Sequence, residues 1–431
     1  MKRFKDNFII NYTDNMKYNL TEIPSFNELL QSDYINTSIL SPNILRLNKI
    51  ECRSNNSIYK VIRYDKNFLC VDLIPTYGLC RSVILNSANQ VVGFAPPKSL
   101  HADTFIQKYP ENTNGIHAEE FIEGTMINVF FDPCVGVTGS WEISTRNTVG
   151  ATSSFFKSPG SKSFRQMFME AASECKLDIN KLDKELCYSF VLQHPENRIV
   201  VPFSKAQLYL VGVYKISNSN NTVDVECFYT QAFKLFFNEL GTTVKFPQIY
   251  EFNKYSDLIE KYGSMNTSYD IVGVVIHNKE TGERTKIRNP VYEQVRNLRG
   301  NQPKLQYQYL SLRKEGKVKD FLKFYPENKR EFSAFRDQVH LFTNTLYSNY
   351  VSCYIKKEKP LIDFSEQYRT HMFNIHQIYM NEFREKKQFI TNTVVQKYVN
   401  ELHPSLLMYC LNFQMRKRNI DTIVAENCNG I

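Results

Sequence analysis

The apolar pattern changes its period at about Pro290, and that change bounds what the chain can fold into. Before it, short β-branched runs alternate with turn residues. Tyr59–Tyr64, Phe68–Ile74 and Arg81–Asn86 are such runs, and Ser87-Ala88-Asn89-Gln90 leads into Val91–Ala95 as a hairpin. The rhythm returns at Thr125–Asp132, Ser140–Asn147, Leu186–Leu192, Arg198–Val201, Leu208–Ile216, Ile271–His277 and Arg284–Arg288. One helix is expected within it, over Ser163–Cys175, where Phe164, Met167, Phe168 and Ala171 fall at helical spacing. After Pro290 the spacing is helical throughout: Phe332, Phe335, Val339, Phe342 and Leu346 step by three or four, as do Phe364, Tyr368, Met372, Ile375 and Tyr379. The expected organisation is a peripheral lead-in (1–48), an α+β domain of mainly antiparallel sheets (49–292), an all-α domain (293–419) and a flexible tail (420–431).

Composition removes several classes. With 431 residues, 42% of them hydrophobic, the chain has length and apolar content for two or three packed domains. Met1–Leu20 is interrupted throughout by charged and polar residues, which fits neither a signal peptide nor a membrane anchor. No apolar run elsewhere approaches the roughly 18 residues that cross a bilayer. A soluble, intracellular protein without membrane contact is expected. The ten cysteines stand singly, with no CxxC pair and no Cys/His cluster at zinc spacing, as expected of reduced thiols. A net charge of +9 favours polyanionic partners. The abundance of Asn, Lys, Ile, Tyr and Phe is the palette of an AT-biased genome.

Four stretches, taken in order, carry chemistry. The first is Arg81–Asn86 followed by Gly93-Phe94-Ala95-Pro96-Pro97-Lys98. The second is Glu119-Glu120-Phe121-Ile122-Glu123-Gly124-Thr125-Met126 with Ser144-Thr145-Arg146-Asn147-Thr148. The third is Phe190-Val191-Leu192-Gln193-His194-Pro195-Glu196-Asn197-Arg198-Ile199-Val200, and the fourth pairs Ile271–Val275 with Thr285–Tyr292. Each is commonplace alone. Together, over Arg81–Tyr292, they resemble the motifs of phage-type ATP-dependent RNA ligases of the covalent nucleotidyltransferase superfamily. The resemblance implies an adenylation domain, ATP-grasp-like and built of antiparallel sheets, followed by a helical domain.

The departures from that family are as specific as the matches. The lysine that becomes adenylylated in the family falls at Phe121, whose ring has no lone pair to attack phosphorus. No lysine lies between Lys108 and Lys157. The family's ribose-contacting glutamate falls at Val191, and the glutamate tied to divalent metal falls at Val272. A valine offers no oxygen to a hard cation. The cationic positions persist: by the resemblance Arg81, Lys98, Arg146, Lys286 and Arg288, with Glu123 beside them, line the nucleotide and phosphate site. Lys286 and Arg288, two apart, share one face of a strand.

Three functions are compatible with this pattern. The first is an RNA-ligase-like pseudoenzyme that binds nucleotides or nucleic-acid ends, RNA favoured, without self-adenylylation. The second is an active end-joining enzyme with a displaced nucleophile, for which the resemblance implies ATP and Mg²⁺ as cofactors. The third is a structural or assembly protein that binds a protein partner through its helical domain, in a virion or host cytoplasm if a virus encodes it. His194, Asn197 and Arg198 are expected to fix their loop rather than touch substrate. Trp141, Tyr307 and Tyr309 are expected in apolar cores, and the run Arg416-Lys417-Arg418 on a solvated helix end.

Overall fold

The computed structural model describes residues 16–31, 44–111, 113–155, 160–219 and 222–418. It divides between Gln294 and Val295 into two units. The first unit holds three antiparallel sheets. A six-stranded sheet runs, edge to edge, Met16–Asn19, Val223–Phe228, Gln207–Asn218, Leu186–Gln193, Thr125–Asp132 and Ser140–Ser144. A four-stranded sheet is built from Leu45–Cys52, Ser57–Tyr64, Val83–Leu85 and Val91–Phe94. The third sheet, in the order Ile249–Tyr250, Ile116–Glu120, Gly273–Asn278 and Arg284–Arg288, carries the candidate site.

Alternation along the strands decides what each face buries. One face of the six-stranded sheet packs Tyr188, Phe190 and Leu192 against the helix Phe164–Glu174, whose Met167, Phe168 and Ala171 are buried. Ser163 caps that helix and closes a capping box with Gln166. Full burial of a side chain such as Phe168 contributes about 1.5–3 kcal/mol. A second core, around Tyr59, Phe94, Phe130 and Tyr214, lies between this sheet and the first four-stranded one. The third sheet buries Ala118, Val274, Ile276 and Ile287 against the helices Ala102–Lys108 and Tyr255–Tyr262. That packing fixes which residues its opposite face presents.

Several expectations are corrected. Phe68–Ile74 is not a strand: it leads into short helical turns over Val71–Leu73 and Ile74–Tyr77, the second with a proline in its first turn. Arg198–Val201 is a bend, because side chains take its backbone donors. The stretch 16–31, expected to be peripheral, joins the sheet through Met16–Asn19 and buries Leu20, Ile23, Phe26 and Leu29. The strands Leu45–Cys52, Ile116–Glu120 and Val223–Phe228 were not anticipated.

The second unit is helical, as its periodicity requires, with Lys329–Tyr350 and Glu366–Ile378 as its longest α-helices. Phe332, Val339, Phe342, Leu346, Phe364, Met372 and Ile375 are all buried. Tyr309 packs on Phe332 and Phe335, and Trp141 of the first unit on Phe131 and Tyr188. Arg416–Arg418 is an exposed helix end, and the expected tail 420–431 lies outside the described residues. No described helix is long and apolar enough to cross a membrane.

Candidate functional site

In the third sheet Lys286 lies opposite Val275, and Val275 opposite Glu119; Arg284 lies opposite His277, and His277 opposite His117; Arg288 lies opposite Gly273. Directly opposed residues share a face, so this face carries Arg284, Lys286 and Arg288 in a column with His117 and Glu119 two strands away. Phe121 continues the latter column two residues beyond Glu119. The Lys286 Nζ stands 4.7 Å from the centre of the Phe121 ring and the Arg288 guanidinium carbon 5.5 Å from it, both within cation–π range. The ring that stands where the resemblance would place the family's nucleophile is thus packed under the ends of Lys286 and Arg288.

Backbone stitching brings the other cations to this face. Arg284 donates through Nη2 to the Pro97 carbonyl (2.8 Å), the Leu100 amide donates to the Arg284 carbonyl (2.8 Å), and the Thr285 hydroxyl donates to the Leu100 carbonyl (3.0 Å). Lys98 lies between these anchors. Arg146 rests its guanidinium 5.0 Å from the centre of the Tyr64 ring, and its Nε is buried without a hydrogen-bond partner. Burial, then the charges of Arg284 and Arg146, lowers Arg81 to about 10. Lys98 is lowered by burial and by Arg81, Arg288, Lys66 and Arg146. Lys286 falls to about 6, through burial first and then the charges of Arg284, Arg81, Arg288 and Lys98. Among the described residues no carboxylate forms an ion pair with Arg81, Lys98, Arg146 or Lys286, whereas Arg288 pairs with Glu293. Five of the six residues expected from sequence are therefore coupled electrostatically.

The sixth, Glu123, points elsewhere. Its carboxylate accepts from the amides of Val200 (2.9 Å) and Val201 (3.1 Å), and burial raises its pKa despite those bonds. Gln193 donates to the Glu123 carbonyl (3.0 Å), and Asn197 donates to the Thr125 hydroxyl (2.8 Å). Arg198 donates to the Val200 carbonyl (2.9 Å). His194 bonds Glu170 through Nε2 (3.0 Å) and accepts from the Glu196 amide through Nδ1 (3.1 Å). The Glu-Gly-Thr segment and the His-Pro-Glu-Asn-Arg loop therefore clamp each other. Gly124, at φ +150°, makes this possible, because a Cβ there would collide with the Leu192 carbonyl oxygen.

Val191 and Val272 are buried, 6% and 7% exposed. Both are apolar where the resemblance would place carboxylates. No described group of three His, Cys, Asp or Glu side chains has the disposition to hold a metal ion. The donor set thus fits phosphate oxygens and does not fit a family-type Mg²⁺ site.

Sequence reasoning missed Arg284, His117, Glu119 and His277. His117 Nε2 lies 3.0 Å and His277 Nε2 3.6 Å from the Glu119 carboxylate, with the two imidazoles stacked at 5.1 Å. Burial opposes ionisation of Glu119, yet the hydrogen bond from His117 and the charge of His277 hold its pKa below the ordinary value. Burial lowers His277 to about 3, helped by His117, Arg284 and Lys286 against the pull of Glu119. For Arg284 the signal was alternation with Lys286 and Arg288 along one strand; His117, Glu119 and His277 join that face only through the long-range pairing of Gly273–Asn278 with Ile116–Glu120 and Arg284–Arg288.

No family model matches the chain. Among curated proteins it is similar to an RNA ligase of a Rhodothermus phage, 23% identical over an alignment 290 residues long that covers 60% of this chain and 64% of that protein. The chain thus spans less than two thirds of that relative's length. Among solved structures it is similar to a Naegleria gruberi RNA ligase mutant without ligand, at TM-score 0.35 and 13% identity, covering 58% of this chain and 76% of that one. A complex of the same ligase with ATP and manganese gives TM-score 0.33 and 13% identity over the same shares. The motif resemblance and the phage relative agree that the chain is RNA-ligase-like, and its antiparallel α+β unit followed by helices is the fold class that this resemblance implies.

Proposed function

We propose that the chain is an RNA-ligase-like protein that binds the phosphates of a nucleotide or of a nucleic-acid end, RNA before DNA, without self-adenylylation. The observation that supports this most is that Arg81, Lys98, Arg146, Arg284 and Lys286 act on one another electrostatically with no described carboxylate paired to Arg81, Lys98, Arg146 or Lys286, while Lys286 and Arg288 pack on the Phe121 ring, where the resemblance would place the family's nucleophile. Like charges brought together in a half-buried cluster repel. A phosphate relieves that repulsion and accepts charge-assisted hydrogen bonds from the same groups. The fork of Arg288 suits holding phosphate rather than donating a proton.

The test is a gel shift at low salt with RNA strands bearing a 5′-phosphate or a 5′-hydroxyl. Wild type favours the phosphorylated end. Lys286→Ala and Arg81→Ala each remove most of that preference and lower the salt slope by about one. Absence of any affinity at low salt, where phosphate contacts are strongest, sinks the proposal.

A further inference from the structure

The helical unit carries a second set of residues suited to nucleic acid, contained wholly within it. The helix Lys329–Tyr350 runs on into a π turn, Val351–Ile355, and the helix Glu366–Ile378 into another, Tyr379–Phe383. The wide turns are closed by bonds from the Lys356 amide to the Val351 carbonyl and from the Arg384 amide to the Tyr379 carbonyl, both 2.9 Å. The two helices run side by side in the same direction: Phe342 meets Tyr368 and His371, and Tyr350, further along, meets His376. Both π turns therefore lie at one end of the pair.

There four rings form a ladder. Tyr350 and Tyr354 are 5.3 Å apart, Tyr354 and His376 stack at 4.0 Å and 13°, and His376 and Tyr379 stack at 5.7 Å and 20°. The Tyr350 end is buried, while Tyr354, His376 and Tyr379 are partly exposed. Ile355 and Met380 stand exposed next to them in sequence. A π turn adds a residue to a helix turn and re-aims the side chains around it, and such turns concentrate at functional sites.

Charge distinguishes this ladder from ordinary core aromatics. Segments 356–359 and 382–387 contain six cations (Lys356, Lys357, Lys359, Arg384, Lys386, Lys387) against three acids (Glu358, Glu382, Glu385), a net charge of +3. Cations at helix C-termini complement the dipole, but two helix ends present only about half a negative charge each, so roughly two positive charges remain.

From this geometry we infer that the ladder binds single-stranded nucleic acid: an unpaired base continues the stack at Tyr379, and the basic segments hold the flanking phosphates. Stacking accepts every base, whereas a duplex hides its base faces. The π turns place the rings, and the charge excess selects a polyanion over an apolar peptide.

The experiment uses the full chain with Tyr379→Trp. The natural chain has one tryptophan, Trp141, which is 7% exposed and sits in the other unit, so new fluorescence reports on the ladder. Titration with a 5′-hydroxyl oligouridylate quenches it, and a blunt duplex of the same length does not. Tyr379→Ala weakens single-strand binding about tenfold, while Lys386→Glu with Lys387→Glu reduces the salt slope. Equal quenching by RNA and DNA strands supports base stacking alone, and stronger quenching by RNA adds a sugar contact. No quench by any single strand, from a variant with wild-type circular dichroism, overturns the inference, as does equal quenching by duplex. Lys286→Ala leaves the quench intact, so failure of the ladder and failure of the phosphate pocket are told apart by the 5′-hydroxyl strand.

Discussion

Lys286 is the residue at which the electrostatics of the cationic cluster become measurable. Burial, then Arg284, Arg81, Arg288 and Lys98, brings its amine to about 6, so at pH 7.5 most of it is neutral. A bound phosphate adds the missing negative charge and raises that pKa, so binding draws a proton from solution. Calorimetry at pH 7.5 in buffers of different ionisation enthalpy is expected to show uptake approaching one proton. Affinity falls by up to tenfold per pH unit above about 6. Lys286→Met removes the uptake and flattens the profile. The same amine shapes folding. An unfolded lysine keeps its proton to about 10.4 and the folded one only to about 6, so between these values the unfolded chain binds more protons and stability rises with pH. Lys286→Met is therefore stabilising, most near pH 6 and least above pH 10, which paired urea midpoints at the two pH values will show.

At the scale of elements, two glycines set the strands that carry the site. Gly273, at φ +137°, opens the strand opposite Arg288, and a Cβ on it would collide with the Ile287 carbonyl oxygen; Gly124 is held as tightly against Leu192. Gly124→Ala and Gly273→Ala should each cost about 2 kcal/mol or more in urea denaturation, from strain plus collision. Gly136→Ala, at φ +64° with nothing within 4 Å of its Cβ, is the control and should cost only about 1 kcal/mol. Of these two effects only Gly273→Ala also lowers phosphate affinity, because it displaces Arg288. Sequence made these elements legible to different degrees. Arg284–Arg288 and Thr125–Asp132 were placed to the residue, the first because it alternates cleanly, and the column Lys286–Arg288 followed from that alternation. Ile116–Glu120 was hidden because Ile-His-Ala-Glu-Glu has one β-branched residue and two acids, so its place depends on pairing with Gly273–Asn278, a long-range contact that local propensity does not encode. With that strand unseen, Glu119 and His117 could not be set beside Lys286. Glu123 was legible as a motif residue but not as a clamp, since its partners at Val200 and Val201 are backbone amides far along the chain.

On the scale of the whole molecule, the proposal turns on three separated substitutions acting together. By the resemblance, Phe121 stands where the family has its nucleophile, and Val191 and Val272, 6% and 7% exposed, stand where it has carboxylates on two other strands or strand ends. Incubation with α-labelled ATP or GTP and Mg²⁺ or Mn²⁺, followed by denaturing electrophoresis, is expected to show no covalent label on a protein that still retains labelled RNA. Phe121→Lys alone should not restore labelling, because a new amine beside Lys286 and Arg288 gains a nucleophile but no carboxylate to organise metal or sugar. Phe121→Lys combined with Val191→Glu and Val272→Glu should restore a faint label at a cost in stability, since two carboxylates are then buried where the chain now packs valines. Labelling by Phe121→Lys alone would mean that the carboxylates lost at Val191 and Val272 are not limiting. Labelling of the wild type, abolished by Lys286→Ala, would place the nucleophile on Lys286, 4.7 Å from the Phe121 ring centre, and the binding-only reading would fall in favour of an enzyme with a displaced lysine.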